Sequence, residues 1–262
     1  MTRPDIYFYP STLLHWLSFI HKLEALMIYF LFLISNNDVE TRIVHTPIMA
    51  PVAHPNLHRF TFRGLDTYLE AFVHQIIIPR LEKLEIDFVP SQLTFSVPRL
   101  QQLINTTENL RFDSAKFKYS NGGVDVKAYS REGMPEMPAL SISVDCWHLD
   151  WQVSFSARLF NLLSQMFSAV EHLAFEREVY GPSFEEHNEV DGTEWHKPLR
   201  SFKNVKTLRI AHGLVKDLSL FVCNWMMENS FQSCCPSFRS SHILEVAIPV
   251  MDLRRLSTFA RM

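Results

Sequence analysis

The sequence predicts an α/β protein in which short parallel strands stack into a ladder and helices cover its opposite face. The main observation is an apolar spacing, L-x-x-L-x-L, that recurs seven times, with starts at residues 23, 57, 81, 107, 137, 170 and 205. Successive starts lie 24 to 35 residues apart, close to the period of leucine-rich repeats. Apolar residues at helical spacing lie between most copies. We therefore predict an irregular leucine-rich-repeat solenoid, with one inserted β-hairpin.

Each copy of the spacing predicts one strand. Side chains alternate along a strand, so the fourth and sixth positions of a copy should point inward. The first position should be buried in the turn that enters the strand. The expected strands lie near residues 23–32, 57–62, 81–88, 107–112, 137–144, 170–175 and 205–210.

The helices are predicted from caps and apolar periodicity. Ser11 can cap a helix over 12–22, and Asp66 can cap one that continues to Ile77. Pro98 is expected to open a helix at its first position, and a further helix is expected over 155–168.

A hairpin and two flanking segments complete the predicted organisation. Residues 120–123 read Ser-Asn-Gly-Gly, which predicts a tight turn between strands at 115–119 and 124–129, inserted beside the ladder. The domain boundaries expected are an N-terminal tail over 1–10, the solenoid over 11–224 and a degenerate segment over 225–262.

Composition excludes several classes of protein. The chain has 262 residues, is 47% hydrophobic and 20% charged, and carries a net charge of −3, which argues against disorder and against a nucleic-acid or membrane partner. Its four cysteines form no C-x-x-C pair, so we expect reduced thiols and an intracellular location, cytoplasmic or nuclear. The longest apolar run, 25–34, is too short for a transmembrane helix, and the first residues lack the order of a signal peptide.

No catalytic or metal-binding pattern stands out. Cys146 and His148 lie close in sequence, but no third group completes a nucleophilic site. The acidic loop over 185–196 matches neither a calcium loop nor a zinc helix. We therefore expect no enzyme activity, no catalytic residue, no cofactor and no metal.

The candidate functional surface is the outward side of the predicted strands. Charges of both signs interleave along it, five basic against four acidic, which suits a protein partner better than a nucleic acid. Ordinary solvated residues would give the same pattern, and that alternative stays open. The candidate residues are Arg59, Thr61, Arg63, Lys83, Glu85, Asp87, Asn109, Arg111, Asp113, His172, Glu176 and Arg209.

Several segments resemble the F-box-associated leucine-rich-repeat proteins of mushroom-forming fungi. The matching stretches are 55–64, 68–76, 79–86, 92–100, 105–113, 140–152 and 167–173. The resemblance implies that the repeats select the substrate of a cullin-type ubiquitin ligase, while an F-box upstream docks on the ligase adaptor. The residues before Ser11 are too few for an F-box, so binding to the adaptor is expected only if one lies upstream in the full-length protein.

Three interpretations follow from the resemblance. The chain could be the substrate-recognition domain of a ubiquitin-ligase receptor, with an unknown protein substrate. It could instead be a stand-alone scaffold or decoy that binds a protein without causing ubiquitination. The third interpretation is a truncated or mis-spliced gene product without function.

Overall fold

The structure is a computed structural model that describes residues 9–30, 50–89, 97–130, 137–146, 149–178, 204–211, 214 and 243–247. This part of the chain is a mixed α/β fold with one large, mostly parallel sheet and helices packed on it. The helices are α1 Pro10–Leu17, α2 Asp66–Val73, α3 Pro98–Thr106, α4 Leu149–Leu162 and α5 Ser164–Phe167. The strands are β1 Ala25–Tyr29, β2 Val52–Ala53, β3 Arg59–Gly64, β4 Ile76–Ile77, β5 Lys83–Phe88, β6 Ser114–Tyr119, β7 Gly123–Tyr129, β8 Leu140–Asp145, β9 His172–Arg177, β10 Thr207–Ala211 and β11 Ile243–Ala247.

The large sheet has nine strands in the order β1-β3-β5-β8-β7-β6-β9-β10-β11. The first four strands in this order pair in parallel, and so do β6, β9 and β10. Strand β7 is antiparallel to both of its neighbours, and β11 is antiparallel to β10. Strands β2 and β4 form a separate parallel pair.

The apolar spacing places its fourth and sixth positions on one buried face of this sheet. Leu26, Phe60, Leu84 and Leu140 are register partners in successive strands, and all are buried. Six of the seven predicted strands coincide with β1, β3, β5, β8, β9 and β10. The first position is less regular, because Met137 is 51% exposed before β8.

The strand expected over 107–112 does not form. Residues 107–113 form an irregular connection between α3 and β6, in which Leu110 donates its backbone N–H to the Thr107 carbonyl at 3.2 Å. Leu110 and Phe112 are buried, so the spacing identified core residues but not their backbone conformation. The strand forms instead at β6, where Ala115, Phe117 and Tyr119 alternate with polar residues.

The predicted hairpin is present, but it lies within the sheet and not beside it. Strands β6 and β7 separate β8 from β9, so the expected continuous parallel ladder is wrong. The Ser120 hydroxyl accepts the backbone N–H of Gly122 at 3.3 Å and of Gly123 at 3.2 Å, which closes the turn. The backbone N–H of Cys146 at the end of β8 bonds the Gly122 carbonyl at 3.0 Å, so the turn also joins the neighbouring strand.

Helices cover the buried face through aromatic contacts. On α2, the Phe72 ring lies 5.6 Å from Phe60 and the Tyr68 ring 6.1 Å from Phe62. On α4, the Phe160 ring lies 4.4 Å from Phe117. These rings fill the space between the helices and the sheet at β3 and at the hairpin strand β6.

Glu70 on α2 caps the N-terminus of α3, which lies about 30 residues further along the chain. Its two carboxylate oxygens accept the backbone N–H groups of Arg99 and Leu100, each at 2.9 Å, in the first turn of α3. Those N–H groups have no partner within their own helix, so a carboxylate stabilises them. Burial raises the pKa of Glu70 against the opposing effect of these hydrogen bonds.

Three of the predicted helices differ from the observed ones in their ends or caps. Helix α1 begins at Pro10 and ends at Leu17, with Tyr9 and not Ser11 at the capping position. Helix α2 has Leu65 and not Asp66 at its capping position, and it ends at Val73 because Ile76 and Ile77 pair with β2. The helix expected over 155–168 begins earlier, as α4, and is interrupted at Leu163 before α5.

Strand β11 lies within the segment 225–262, for which no element was predicted.

Candidate protein-binding face

The sheet face opposite the helices carries the outward side chains of β1, β3 and β5 to β10, and is called here the strand face. The register aligns these side chains in rows across the strands. One row contains Met27, Thr61 and Glu85, then Ser141, Lys127, Lys116, Ala174 and Arg209. Eight strands spaced by about 4.8 Å make this face about 34 Å wide.

Nine of the twelve candidate residues lie on strands of this face. Their positions are set by β3, β5, β9 and β10, whose buried alternate residues direct them outward. These nine are Arg59, Thr61, Arg63, Lys83, Glu85, Asp87, His172, Glu176 and Arg209.

Asn109, Arg111 and Asp113 do not lie on a strand, because they belong to the irregular connection before β6. Asn109 and Arg111 are exposed on this connection. The Asp113 carbonyl accepts the backbone N–H of Glu171 at 2.7 Å and of His172 at 3.1 Å. Asp113 therefore leads into the sheet, while the other two lie outside the strand face.

Thr61 lies on the strand face but is not accessible there, which corrects its prediction as a contact residue. It is 4% exposed, and its hydroxyl has no hydrogen-bond partner in the part of the chain that the structure describes. Its short side chain lies between the longer side chains of Met27 and Glu85 in the register. A partner would therefore contact those neighbours and not Thr61.

Sequence reasoning missed the four charged residues that the hairpin adds to the centre of this face. Lys116, Lys118, Asp125 and Lys127 alternate with buried residues on β6 and β7. The alternation was visible in the sequence, but a hairpin placed beside the ladder would have put these side chains outside the candidate surface. Only the strand order brings them to the middle.

Asp87 on β5 is held by side chains of the two adjacent strands, β3 and β8. The Arg63 Nε lies 3.2 Å from Asp87 Oδ2, and the Ser143 hydroxyl donates to Asp87 Oδ1 at 3.2 Å. Burial raises the pKa of Asp87 above its ordinary value, assisted by Asp145, while Arg63 opposes the change. Asp87 is therefore part of a cross-strand network in the sheet.

The lysines of the hairpin differ in their pairing. Lys116 Nζ lies 2.8 Å from Glu176 Oε2, and Lys118 pairs with Glu178, whose hydrogen bond raises the pKa of Lys118. Lys127 forms no ion pair with any residue that the structure describes, and it lies directly opposite Lys116 in the register. Like charges directly opposite each other are unfavourable. At the centre of the strand face, Lys127 is therefore a cation without an ionic partner among the described residues, and an acidic group of a partner protein would neutralise it.

Cys146, which the sequence offered as a possible nucleophile, is not activated in the structure. Burial, assisted by Asp145, raises the pKa of the Cys146 thiol to about 11, so the thiol is protonated at neutral pH. His148 and the acidic loop over 185–196 lie outside the described residues. Among the residues whose placement is described, no three His, Cys, Asp or Glu side chains are arranged to hold a metal ion.

Among the described residues, no helix is both long and apolar enough to cross a bilayer.

Comparison with known proteins gives no relative. No protein family, no curated protein and no solved structure matches the chain. The fold and the strand face thus define it as a mixed α/β protein with a broad, charged, open sheet surface.

Proposed function

We propose that this chain is a leucine-rich-repeat-type solenoid whose strand face binds a protein, as the substrate-recognition part of an F-box ubiquitin-ligase receptor. The observation that supports the binding surface is the interleaving of charges across adjacent strands, with Lys127 at the centre forming no ion pair with the described residues. The link to a ligase rests on the resemblance of the repeat segments to F-box-associated proteins.

The charge pattern favours a protein over a nucleic acid. A nucleic-acid groove needs cations that are free to meet phosphates. Here Lys116 and Lys118 are paired with acidic groups, and Arg63 is paired with Asp87. Mixed charge of this kind suits a protein surface of complementary pattern, where it sets orientation and association rate.

Site-directed cross-linking tests the surface directly. A photoreactive amino acid at Ser141, between Glu85 and Lys127 in the register, should cross-link a protein in fungal cells. The same group at Gln102, exposed on α3, should not. Equal cross-linking from both positions, or none from Ser141, would contradict the proposal.

Charge reversal then tests the role of the central cation. Lys127→Glu should reduce the Ser141 cross-link about tenfold, because an acidic partner group would meet a like charge. Arg80→Glu is the matched control, since Arg80 is exposed in the turn between β4 and β5 and not on the strand face. A cross-link that Lys127→Glu leaves unchanged would rule out this cation as a contact.

The fate of the cross-linked protein separates receptor from decoy. Production of the full-length protein should shorten the lifetime of its partner if an F-box delivers the partner to a ligase. An unchanged or longer lifetime, with binding retained, would identify a scaffold or decoy.

A further inference from the structure

Exposed apolar side chains concentrate at one end of the sheet. Nine large hydrophobic side chains are exposed in the described part of the chain, and six of them lie between residues 9 and 29. These six are Tyr9, Trp16, Phe19, Ile20, Met27 and Tyr29. They belong to α1, β1 and the turn between them, so a single region carries most of this surface.

Strand β1 is the edge of the nine-stranded sheet, and the backbone groups of alternate residues face outward from that edge. Phe30 donates its N–H to the Arg63 carbonyl at 2.9 Å, and the Glu24 carbonyl accepts from His58 at 2.9 Å. Backbone groups of successive strand residues point to opposite sides. Ala25, Met27 and Tyr29 therefore direct their N–H and C=O groups away from β3, where the described residues supply no further strand.

The edge lacks the features that usually prevent pairing with another chain. Natural edge strands are commonly protected by charged residues, proline or bulges. Strand β1 reads Ala-Leu-Met-Ile-Tyr, without a charge or a proline, and it pairs with β3 in regular register. Its backbone is thus free to form a ladder with a strand of similar character.

We propose that β1 pairs antiparallel with β1 of a second copy of the chain, about a two-fold axis at Met27. In this register, Met27 lies opposite the same residue of the second copy, and Ala25 lies opposite Tyr29. Ala25 then faces the larger Tyr29, the two Met27 side chains face each other, and no charges meet. The two strand faces become one continuous surface, whatever partner that surface binds.

Sedimentation equilibrium of the 262-residue chain tests the pairing. The wild type should dimerise at micromolar concentration. Met27→Lys should raise the dimer Kd at least about tenfold, because it places two like charges opposite each other. Met27→Pro should have the same effect through the backbone, because it removes an N–H that faces the open edge and none that bonds β3.

Met137→Lys is the matched control. Met137 is 51% exposed and Met27 is 50% exposed, so both substitutions add the same charge at equal accessibility. The control should leave the dimer Kd unchanged, and circular dichroism should show that all three variants are folded. A monomeric wild type, a dimer that neither Met27 variant weakens, or equal weakening by Met137→Lys would overturn the proposal.

Discussion

His54 is a buried imidazole whose two ring nitrogens have no hydrogen-bond partner among the described residues. Its backbone is well tied, since its N–H donates to the Ile77 carbonyl at 2.9 Å and its carbonyl accepts from Leu57 at 3.2 Å. Burial, assisted by His21, lowers the pKa of His54 below its ordinary value of 6.5. The folded chain thus holds a neutral imidazole that the unfolded chain would protonate in mild acid.

This lowered pKa predicts a loss of stability in acid that one substitution should reduce. Below about pH 6.5 the unfolded state takes up a proton that folded His54 does not, so unfolding becomes easier as the pH falls, by at most about 1.4 kcal/mol per pH unit. His54→Leu should raise the melting temperature at both pH values, because it removes two unsatisfied polar atoms. The gain should be larger at pH 5.5 than at pH 7.5, because leucine takes up no proton on unfolding. Thermal unfolding by circular dichroism at both pH values measures this.

His74→Leu is the control for the loss of an imidazole with few contacts, because His74 is exposed at the end of α2. It should change the free energy of unfolding by no more than about 0.5 kcal/mol. An unchanged difference between the two pH values in His54→Leu would show that His54 does not cause the acid sensitivity.

At the scale of elements, the hairpin shows how a turn fixes the position of two strands. An Asn-Gly pair is typical of left-handed turn positions, but neither Gly122 nor Gly123 has a left-handed φ. Gly123 is required for space, since a Cβ there would collide with the Val144 carbonyl oxygen of β8. The glycine therefore permits close approach of β7 to β8, a reason that the local sequence could not reveal.

Two adjacent glycines provide a matched test of this role. Gly123→Ala should lower the free energy of unfolding by about 1–3 kcal/mol, because the β8 backbone must move. Gly122→Ala should cost no more than about 0.5 kcal/mol, because a Cβ there meets nothing within 4 Å. Chemical denaturation measures both. Equal effects of the two substitutions would contradict the docking of β7 on β8.

At the scale of the whole molecule, stability depends on the continuous buried row across the sheet. Leu84 is fully buried between Phe60 and Leu140, whereas Glu85 points to the strand face and pairs loosely with Arg59 at 3.6 Å. Leu84→Asp should cost more than about 4 kcal/mol, because it buries an unpaired charge. Glu85→Lys should cost about 1 kcal/mol or less, since exposed ion pairs contribute little.

Thermal unfolding of the two variants checks this assignment. A similar melting temperature for Leu84→Asp and Glu85→Lys would mean that the inward and outward faces of β5 are wrongly assigned. Leu84 and Glu85 are adjacent on the same strand, so any difference in stability between the two variants reports which face each side chain occupies and not the position of β5 in the sheet.

The sequence alone determined which side of most strands is buried. The period of two puts Phe60, Leu84 and Leu173 on one face whatever the order of the strands, because side-chain alternation is a local property of the backbone. The same reasoning failed at Leu110 and Phe112, which are buried without lying on a strand. Burial alone does not distinguish a strand from an irregular connection that crosses the core.

Only the tertiary structure decided the order of the strands. The turn at 120–123 fixes β6 against β7, but it does not determine that this pair lies between β8 and β9. That position depends on contacts between residues far apart in sequence, such as Lys116 with Glu176 and Gly123 with Val144. For this reason the sequence predicted a charged strand face, while the structure placed Lys127 at its centre.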